Sequence, residues 1–274
     1  MKPTVLALDF DGVISDSAIE SFVVALRTYS EMCPSGRVAA ACSRLASAEA
    51  GAVRESPLYR DFLDMMPLGN RAEDFGVVLA ILDAGRHADD QAAYDSWRAS
   101  RTASFLETFH ERFYLERAAM RDDDPDAWAS LIAPFGWLVA LLRRRAEDAT
   151  LCIATAKDRP SVDVLLERYG ISDLFAAEHV ADKGHGRSKR AHLTTLRDRL
   201  GVTFGDITFV DDKLNHLQDV ADLGVRGVLA GWGYNAAREH RLARDAGFEV
   251  CGEDDAESVL FGPAARSGRG GAVR

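Results

Sequence analysis

The apolar run Val5-Leu6-Ala7-Leu8 ends in Asp9-Phe10-Asp11-Gly12-Val13, and no second strand pattern returns until about residue 149. Whatever fold forms must therefore hold a long non-strand block immediately after its first strand. Residues two apart in a strand point to the same side, so Asp9 and Asp11 repel each other unless a cation or a shared proton compensates. Gly12 lets the backbone turn at once. On these residues alone, the motif reads equally as a turn with solvated acids.

The block that follows has helical periodicity. Ile19, Phe22, Val23, Leu26 and Tyr29 recur at helical spacing within a helix expected over 19–32. Val38 to Val53 is alanine-rich and reads as a helix, and Ala72 to Leu82 offers another apolar face. Asp89 to Met120 reads as one long helix or two joined closely, and Asp122-Asp123-Asp124-Pro125 marks a solvated break before a further helical segment. Phe135 to Leu142, closed by Arg143-Arg144-Arg145, reads as a packed helix with a basic end.

Strands and helices then alternate. Strands are expected over Thr150 to Ala154, Phe175 to Val180 (a weak pattern), Ile207 to Val210, Val225 to Ala230 and, at an edge, Phe248 to Cys251. Helices are expected over Pro160 to Tyr169, Lys189 to Leu200 and His216 to Leu223. Buried strands separated by helices predict an α/β fold: a Rossmann-like parallel sheet with helices on both faces and a helical block inserted after the first strand. The expected organisation is a sheet domain from residues 1–14 and 135–262, an insertion over 15–134, and a flexible tail over 263–274.

A net charge of -10 supplies no global positive field to attract nucleic acid or anionic lipid. Cys33, Cys42, Cys152 and Cys251 have neither metal-site nor disulfide-framework spacing. Met1-Lys2-Pro3 leads straight into the first strand, and no apolar run reaches membrane-spanning length, so the expectation is a cytoplasmic chain without a signal peptide.

Parallel sheets bind ligands beyond the carboxyl ends of their strands. Three such ends carry polar residues: Asp9 and Asp11, then Thr155-Ala156-Lys157, then Asp211-Asp212. If they converge, the carboxylates call for a divalent cation with hard oxygen ligands, and magnesium suits a site that also accepts a phosphate oxygen. Thr155 could donate to a phosphoryl oxygen while a lysine offsets its charge. Lys157, Lys183 and Lys189 all fall near these loops. Lys189 is favoured because it begins a helix and is thereby fixed, with Lys183 as the second choice.

Taken together, these segments resemble the haloacid dehalogenase (HAD) superfamily, in its aspartate-nucleophile phosphohydrolase branch. Asp9-Phe10-Asp11-Gly12-Val13 matches the first signature, Thr155 the second, Lys189 the third and Asp211-Asp212 the fourth, in order and together spanning the sheet domain. The inserted block is similar to the helical cap of that family. The resemblance implies that Asp9 is a nucleophile forming an aspartyl-phosphate and that Asp11 acts as general acid and then base. It implies a magnesium ion held by Asp9, the backbone carbonyl of Asp11, and Asp211, with Asp212 bound directly or through a neighbour. Thr155 and Lys189 would hold the phosphoryl oxygens. Dehalogenating relatives lack the second aspartate of the first signature, so Asp11 points to phosphoryl transfer.

Three departures weaken assignment to the sugar-phosphate or phosphoglycolate subgroups: Val210 precedes Asp211, Ala156 follows Thr155, and Ser188-Lys189-Arg190 lacks the frequent Lys-Pro pair. Asn215-His216 could orient the metal loop, or His216 could simply pack or cap. The cap would set substrate choice, and Arg54, Tyr59, Arg60, Arg71 and Trp97 are the residues in it that could reach an anion or a ring. No role is assigned to His87, His110, His179, His185, His192 or His240.

The expected activity is magnesium-dependent hydrolysis of a small phosphomonoester. A phosphomutase would share every reacting residue, and a non-catalytic phospho-ligand-binding protein would be expected to lose Asp9, Asp11 or Asp211. Phosphonate hydrolysis is disfavoured because no lysine falls in the cap. The apolar cap faces could serve a homodimer or the cap's own core.

Overall fold

The computed structural model describes residues 5–69, 71–186 and 188–262; the tail expected over 263–274 lies outside the described residues. Strand β1 (Val5–Leu8) runs to the short β2 (Ser15–Asp16). Eight helices follow: α1 (Ala18–Met32), α2 (Arg37–Leu45), α3 (Ala50–Glu55), α4 (Pro57–Met65), α5 (Ala72–Asp83), α6 (Gln91–Ala99), α7 (Ala103–Asp123) and α8 (Pro125–Ser130). The chain returns through β3 (Ala133–Pro134) and α9 (Gly136–Arg144) to β4 (Thr150–Ala154), α10 (Arg159–Arg168), β5 (Val180–Ala181), α11 (Lys189–Leu200) and β6 (Ile207–Asp211). It ends with α12 (Leu214–Val220), β7 (Arg226–Ala230), α13 (Ala237–Asp245), β8 (Glu249–Cys251) and α14 (Ala256–Phe261).

The main sheet is parallel throughout, in the order β5-β4-β1-β6-β7-β8. Its strands are buried on both faces, which is why they read as continuous apolar runs. In β1, Leu6 and Leu8 enter the core on one face while Val5 and Ala7 enter the core on the other. From β1 the chain moves outward through β4 to β5, then crosses back to β6 on the other side of β1. This reversal of direction opens a crevice at the carboxyl ends of β1, β4 and β6.

The helical block has its own core, in which Ile19, Phe22, Val23, Leu26 and Tyr29 are all buried as their spacing requires. Helices α5 and α7 approach closely at Gly76, where a Cβ would lie 2.7 Å from the Phe109 ring. The block joins the sheet domain through the antiparallel pair β2–β3, with Ser15 opposite Pro134. Among the described residues no helix is long and apolar enough to cross a membrane.

Several boundaries differ from the sequence reading. The stretch Val38 to Val53 is two helices, and Arg27 Nη2 donates to Ala46 O (3.1 Å) where the first one ends. Asp89 to Met120 also divides. Ser100 Oγ donates to Trp97 O (2.7 Å) at the end of α6, and the Thr102 side chain accepts from Phe105 N–H (3.1 Å) to start α7. Helix α4, opened by Pro57, had no counterpart in the reading. Most of Phe175 to Val180 is short 3₁₀ turns; only Val180 and Ala181 pair with β4, at Ile153 and Ala154.

Candidate active site

Backbone ladders carry two of the expected residues just past their strands. Asp9 N–H donates to Val210 O (2.9 Å), and Thr155 N–H donates to Ala181 O (2.9 Å), so both side chains emerge at fixed positions above the sheet. Gly12 has φ +82°, and a Cβ there would lie 2.5 Å from Asp212 Oδ2. Only glycine combines this left-handed backbone with such close approach of the two acidic loops.

Asp9, Asp11, Thr155, Lys189 and Asp212 line one cavity of about 180 Å³ between the sheet domain and the cap; Lys157, Arg117 and His216 line it too. Asp211 lies beneath it, fully buried. Lys189 Nζ sits 2.6 Å from Asp9 Oδ1 and 3.1 Å from Asp211 Oδ2, and donates to Ala154 O at 2.9 Å. Burial opposes the charge on Lys189, but Asp211 and Asp9 outweigh it and raise its pKa. Lys183 instead has its ammonium over the Tyr114 ring, 3.3 Å from the centroid, on the cap side. The structure therefore brings Lys189, not Lys183, to the carboxylates.

The four acids experience different fields. Burial pushes Asp9 up to about 7; Lys189 opposes the rise and Asp211 adds to it. Burial also lifts Asp212 to about 6, against Lys213 and with Asp211. Asp211 is held well below the usual carboxylate range: burial raises it, but His216, Lys189 and the Lys213 N–H together prevail. Burial likewise raises Asp11, and Lys157, Arg117 and Ser17 outweigh that effect to hold it below its ordinary value.

Ligand atoms of Asp9, Asp211 and His216 lie within 4.8 Å of one another. Lys189 is the one ammonium that contacts both Asp9 and Asp211 among the described residues, and two converging hard-oxygen ligands in a buried, acid-rich pocket fit a divalent cation. Asp212 faces a different neighbour: its Oδ2 accepts from Tyr234 N–H at 2.8 Å. The Asp11 carboxylate points to Lys157 Nζ (2.9 Å from Oδ1) and receives the Ser17 hydroxyl, leaving it outside the cluster of three.

Sequence reasoning gave Lys157 no firm role, yet it is fully enclosed against Asp11. His216 Nδ1 lies 3.0 Å from Asp211 Oδ1, which favours its orienting role over plain packing; its position on the first turn after the acidic pair was the available signal. Arg117 went unnoticed because nothing local marks it. Of the cap residues named from sequence, Arg71 reaches the cavity. Arg54 instead faces Asp16 (3.6 Å), Arg60 reaches Glu55 O, and Tyr59 and Trp97 pack within the cap core.

No protein-family model and no curated protein matches this sequence. Solved structures do match in shape. A provisionally named phosphoglycolate phosphatase from Lactobacillus delbrueckii subsp. bulgaricus aligns with TM-score 0.67 and 14% identity over 96% of this chain and 100% of its own. A haloacid dehalogenase-like family hydrolase from Streptococcus pneumoniae aligns with TM-score 0.61 and 12% identity over 91% and 93%. A predicted phosphoglycolate phosphatase from Haemophilus somnus aligns with TM-score 0.58 and 15% identity over 94% and 98%. The parallel α/β sheet with its inserted helical block thus has the haloacid dehalogenase-like fold.

Proposed function

We propose that the chain is a magnesium-dependent phosphomonoester hydrolase that works through a phosphorylated Asp9. The observation that carries this reading is the convergence of Asp9 and Asp211, from separate strands, on Lys189 at one crevice. The solved structures of similar shape that are named as phosphatases support the same reaction class.

Asp9 Oδ1 is engaged by Phe10 N–H (2.7 Å) and Lys189, which fixes the carboxylate and leaves Oδ2 to attack phosphorus. Asp9, Asp211 and the Asp11 backbone carbonyl would hold the magnesium ion, with Asp212 supporting it; bound there, the ion favours ionised Asp9 and offsets phosphoryl charge. The Thr155 hydroxyl and Lys189 would hold the phosphoryl oxygens. Lys157 and Ser17 keep Asp11 as a carboxylate, the form that takes a proton from the water attacking the phosphoaspartate. Protonating the leaving oxygen in the first step requires Asp11 to hold a proton, so its contact with Lys157 must loosen as substrate enters.

The substrate is a small phosphorylated metabolite, in keeping with a cavity of about 180 Å³. Nucleic acid and membrane have no part in this reading, and the site of action is the cytoplasm. A homodimer through the cap remains compatible with it. The test is hydrolysis of an aryl phosphate with and without magnesium, in the parent and in Asp9→Asn. Activity that needs both the metal and Asp9 supports the reading, and magnesium-independent activity retained by Asp9→Asn overturns it.

A further inference from the structure

The loop that follows β7 is pinned to both acidic loops. Trp232 Nε1 donates to Val13 O at 3.0 Å, and Asn235 Nδ2 donates to Asp212 O at 3.0 Å and to Ala230 O at 2.8 Å. A Cβ on Gly233 would run into Asp212 Cβ and Gly12 O, so the loop seats this closely because residue 233 is glycine. Tyr234 comes next, half-buried, with its backbone N–H on Asp212 Oδ2 at 2.8 Å. Its hydroxyl accepts from the Ser17 N–H and donates to Asp16 Oδ1 at 3.3 Å.

Ser17 stands where the chain leaves β2 for the cap. It occupies the N-cap position of α1, where a serine hydroxyl ordinarily accepts from a helix N–H, yet its side chain makes no capping bond. Asp16 Oδ1 accepts from Ala18 N–H at 3.3 Å in its stead, and the Ser17 hydroxyl donates to Asp11 Oδ1. Ser17 is fully buried, so its N–H needs an acceptor, and the Tyr234 hydroxyl is that acceptor. Both donors of Ser17 therefore lie on one path from Tyr234 to Asp11. Resting on the hydrolase reading, we infer that Tyr234 is a positioning residue which, through Ser17, orients the Asp11 carboxyl to protonate the leaving oxygen. A tyrosine that only filled space could give up its hydroxyl without consequence; this hydroxyl joins the hinge to the acid–base group. Lys157 holds the same carboxylate from the sheet side, and when that contact loosens as substrate enters, the Ser17 hydroxyl remains to aim it.

The experiment compares ethyl phosphate, whose leaving alkoxide needs a proton, with 4-nitrophenyl phosphate, whose phenolate leaves without one. The readout is kcat/KM for each ester. Tyr234→Phe removes the hydroxyl and keeps the ring and the backbone N–H that holds Asp212. It should lower kcat/KM for ethyl phosphate roughly 10- to 100-fold and leave the aryl ester within about threefold of the parent. Ser17→Ala should show the same selective loss, and the double variant should fall no further than Ser17→Ala alone, because both changes act on one path. Equal losses on the two esters would mark a merely structural role. That result, parental values for both esters in Tyr234→Phe, or additive losses in the double variant overturns the inference.

Amide hydrogen exchange at Ser17, followed by NMR, separates this idea from the hydrolase reading. Loss of its acceptor in Tyr234→Phe should speed exchange of the Ser17 N–H roughly tenfold or more. Faster exchange in the variant, with a parent that cleaves neither ester, defeats the hydrolase reading and leaves the tether standing. Cleavage of both esters by parent and variant alike, with unchanged exchange at Ser17, does the reverse.

Discussion

Lys157 Nζ lies 2.9 Å from Asp11 Oδ1 and 3.2 Å from Oδ2, and its side chain has no exposure to solvent. Two residues 146 positions apart thus form the contact that sets the charge state of the proposed acid–base group. Replacing Lys157 with Met removes the counter-charge while Asp11 stays buried, so the Asp11 pKa rises. The acidic limb of the kcat/KM profile should shift to higher pH, and kcat should fall about 10²- to 10⁴-fold, the usual range for disabling a general acid–base group. A pH–rate series on an aryl phosphate checks both. An unshifted limb would mean that Lys157 does not control Asp11.

Gly12 offers a different kind of test. Its φ of +82° and the 2.5 Å approach of a would-be Cβ to Asp212 predict that Gly12→Ala both strains the turn and displaces the Asp212 carboxylate. The expected cost is about 1–3 kcal/mol in urea unfolding, together with weaker magnesium activation. Wild-type stability in this variant would show that the two loops can separate freely.

The buried pair of Glu20 and Arg117 should be unforgiving to single truncation. Removing Glu20 alone leaves a guanidinium enclosed without its partner and Trp128 without its acceptor. Glu20→Ala is therefore expected to lower stability by about 3–5 kcal/mol, and pairing it with Arg117→Met should restore most of that loss. Denaturant melts of the single and double variants form the cycle that measures it.

Why such features escape a reading of the sequence is clear from particular residues. Val5–Leu8, Lys189–Leu200 and the strand ending at Asp211 were legible almost to the residue, because a strand buried on both faces is an apolar run and Gly201 closes its helix in the left-handed conformation. The two acidic loops were legible because they interrupt those runs. Arg117 and Glu20 sit 97 residues apart on two amphipathic helices, each looking like an ordinary surface charge until the helices pack. Lys157 carried the same ambiguity among three candidate lysines, since only the fold decides which ammonium meets which carboxylate. Where α2 ends, Ala46 O accepts from Arg27 of another helix, a tertiary contact no local propensity encodes.

His192 predicts how stability responds to acid. Burial, with Lys189 adding, lowers its pKa from 6.5 to about 4; the ring is fully enclosed, with Nε2 3.0 Å from Gly186 O. Above pH 6.5 both folded and unfolded chains hold the ring neutral and its contribution is fully present. As pH falls from 6.5 through 4, the unfolded chain takes up a proton that the fold refuses, so stability declines, by up to about 3 kcal/mol from this group. His192→Gln, which keeps a donor for Gly186 O without titrating, should flatten that part of the curve. Urea titrations between pH 4 and 7 would show it, and an identical slope in the variant would assign the acid sensitivity to other groups.

Trapping the covalent intermediate tests the central claim most directly. The parent, mixed with magnesium and a rapidly cleaved aryl phosphate, is quenched in acid within one turnover and its peptides are mapped by mass spectrometry. The account predicts a hydroxylamine-labile phosphoryl group on Asp9, absent from Asp9→Asn. A phosphoryl group on any other residue, or turnover by Asp9→Asn at the parental rate, would contradict it.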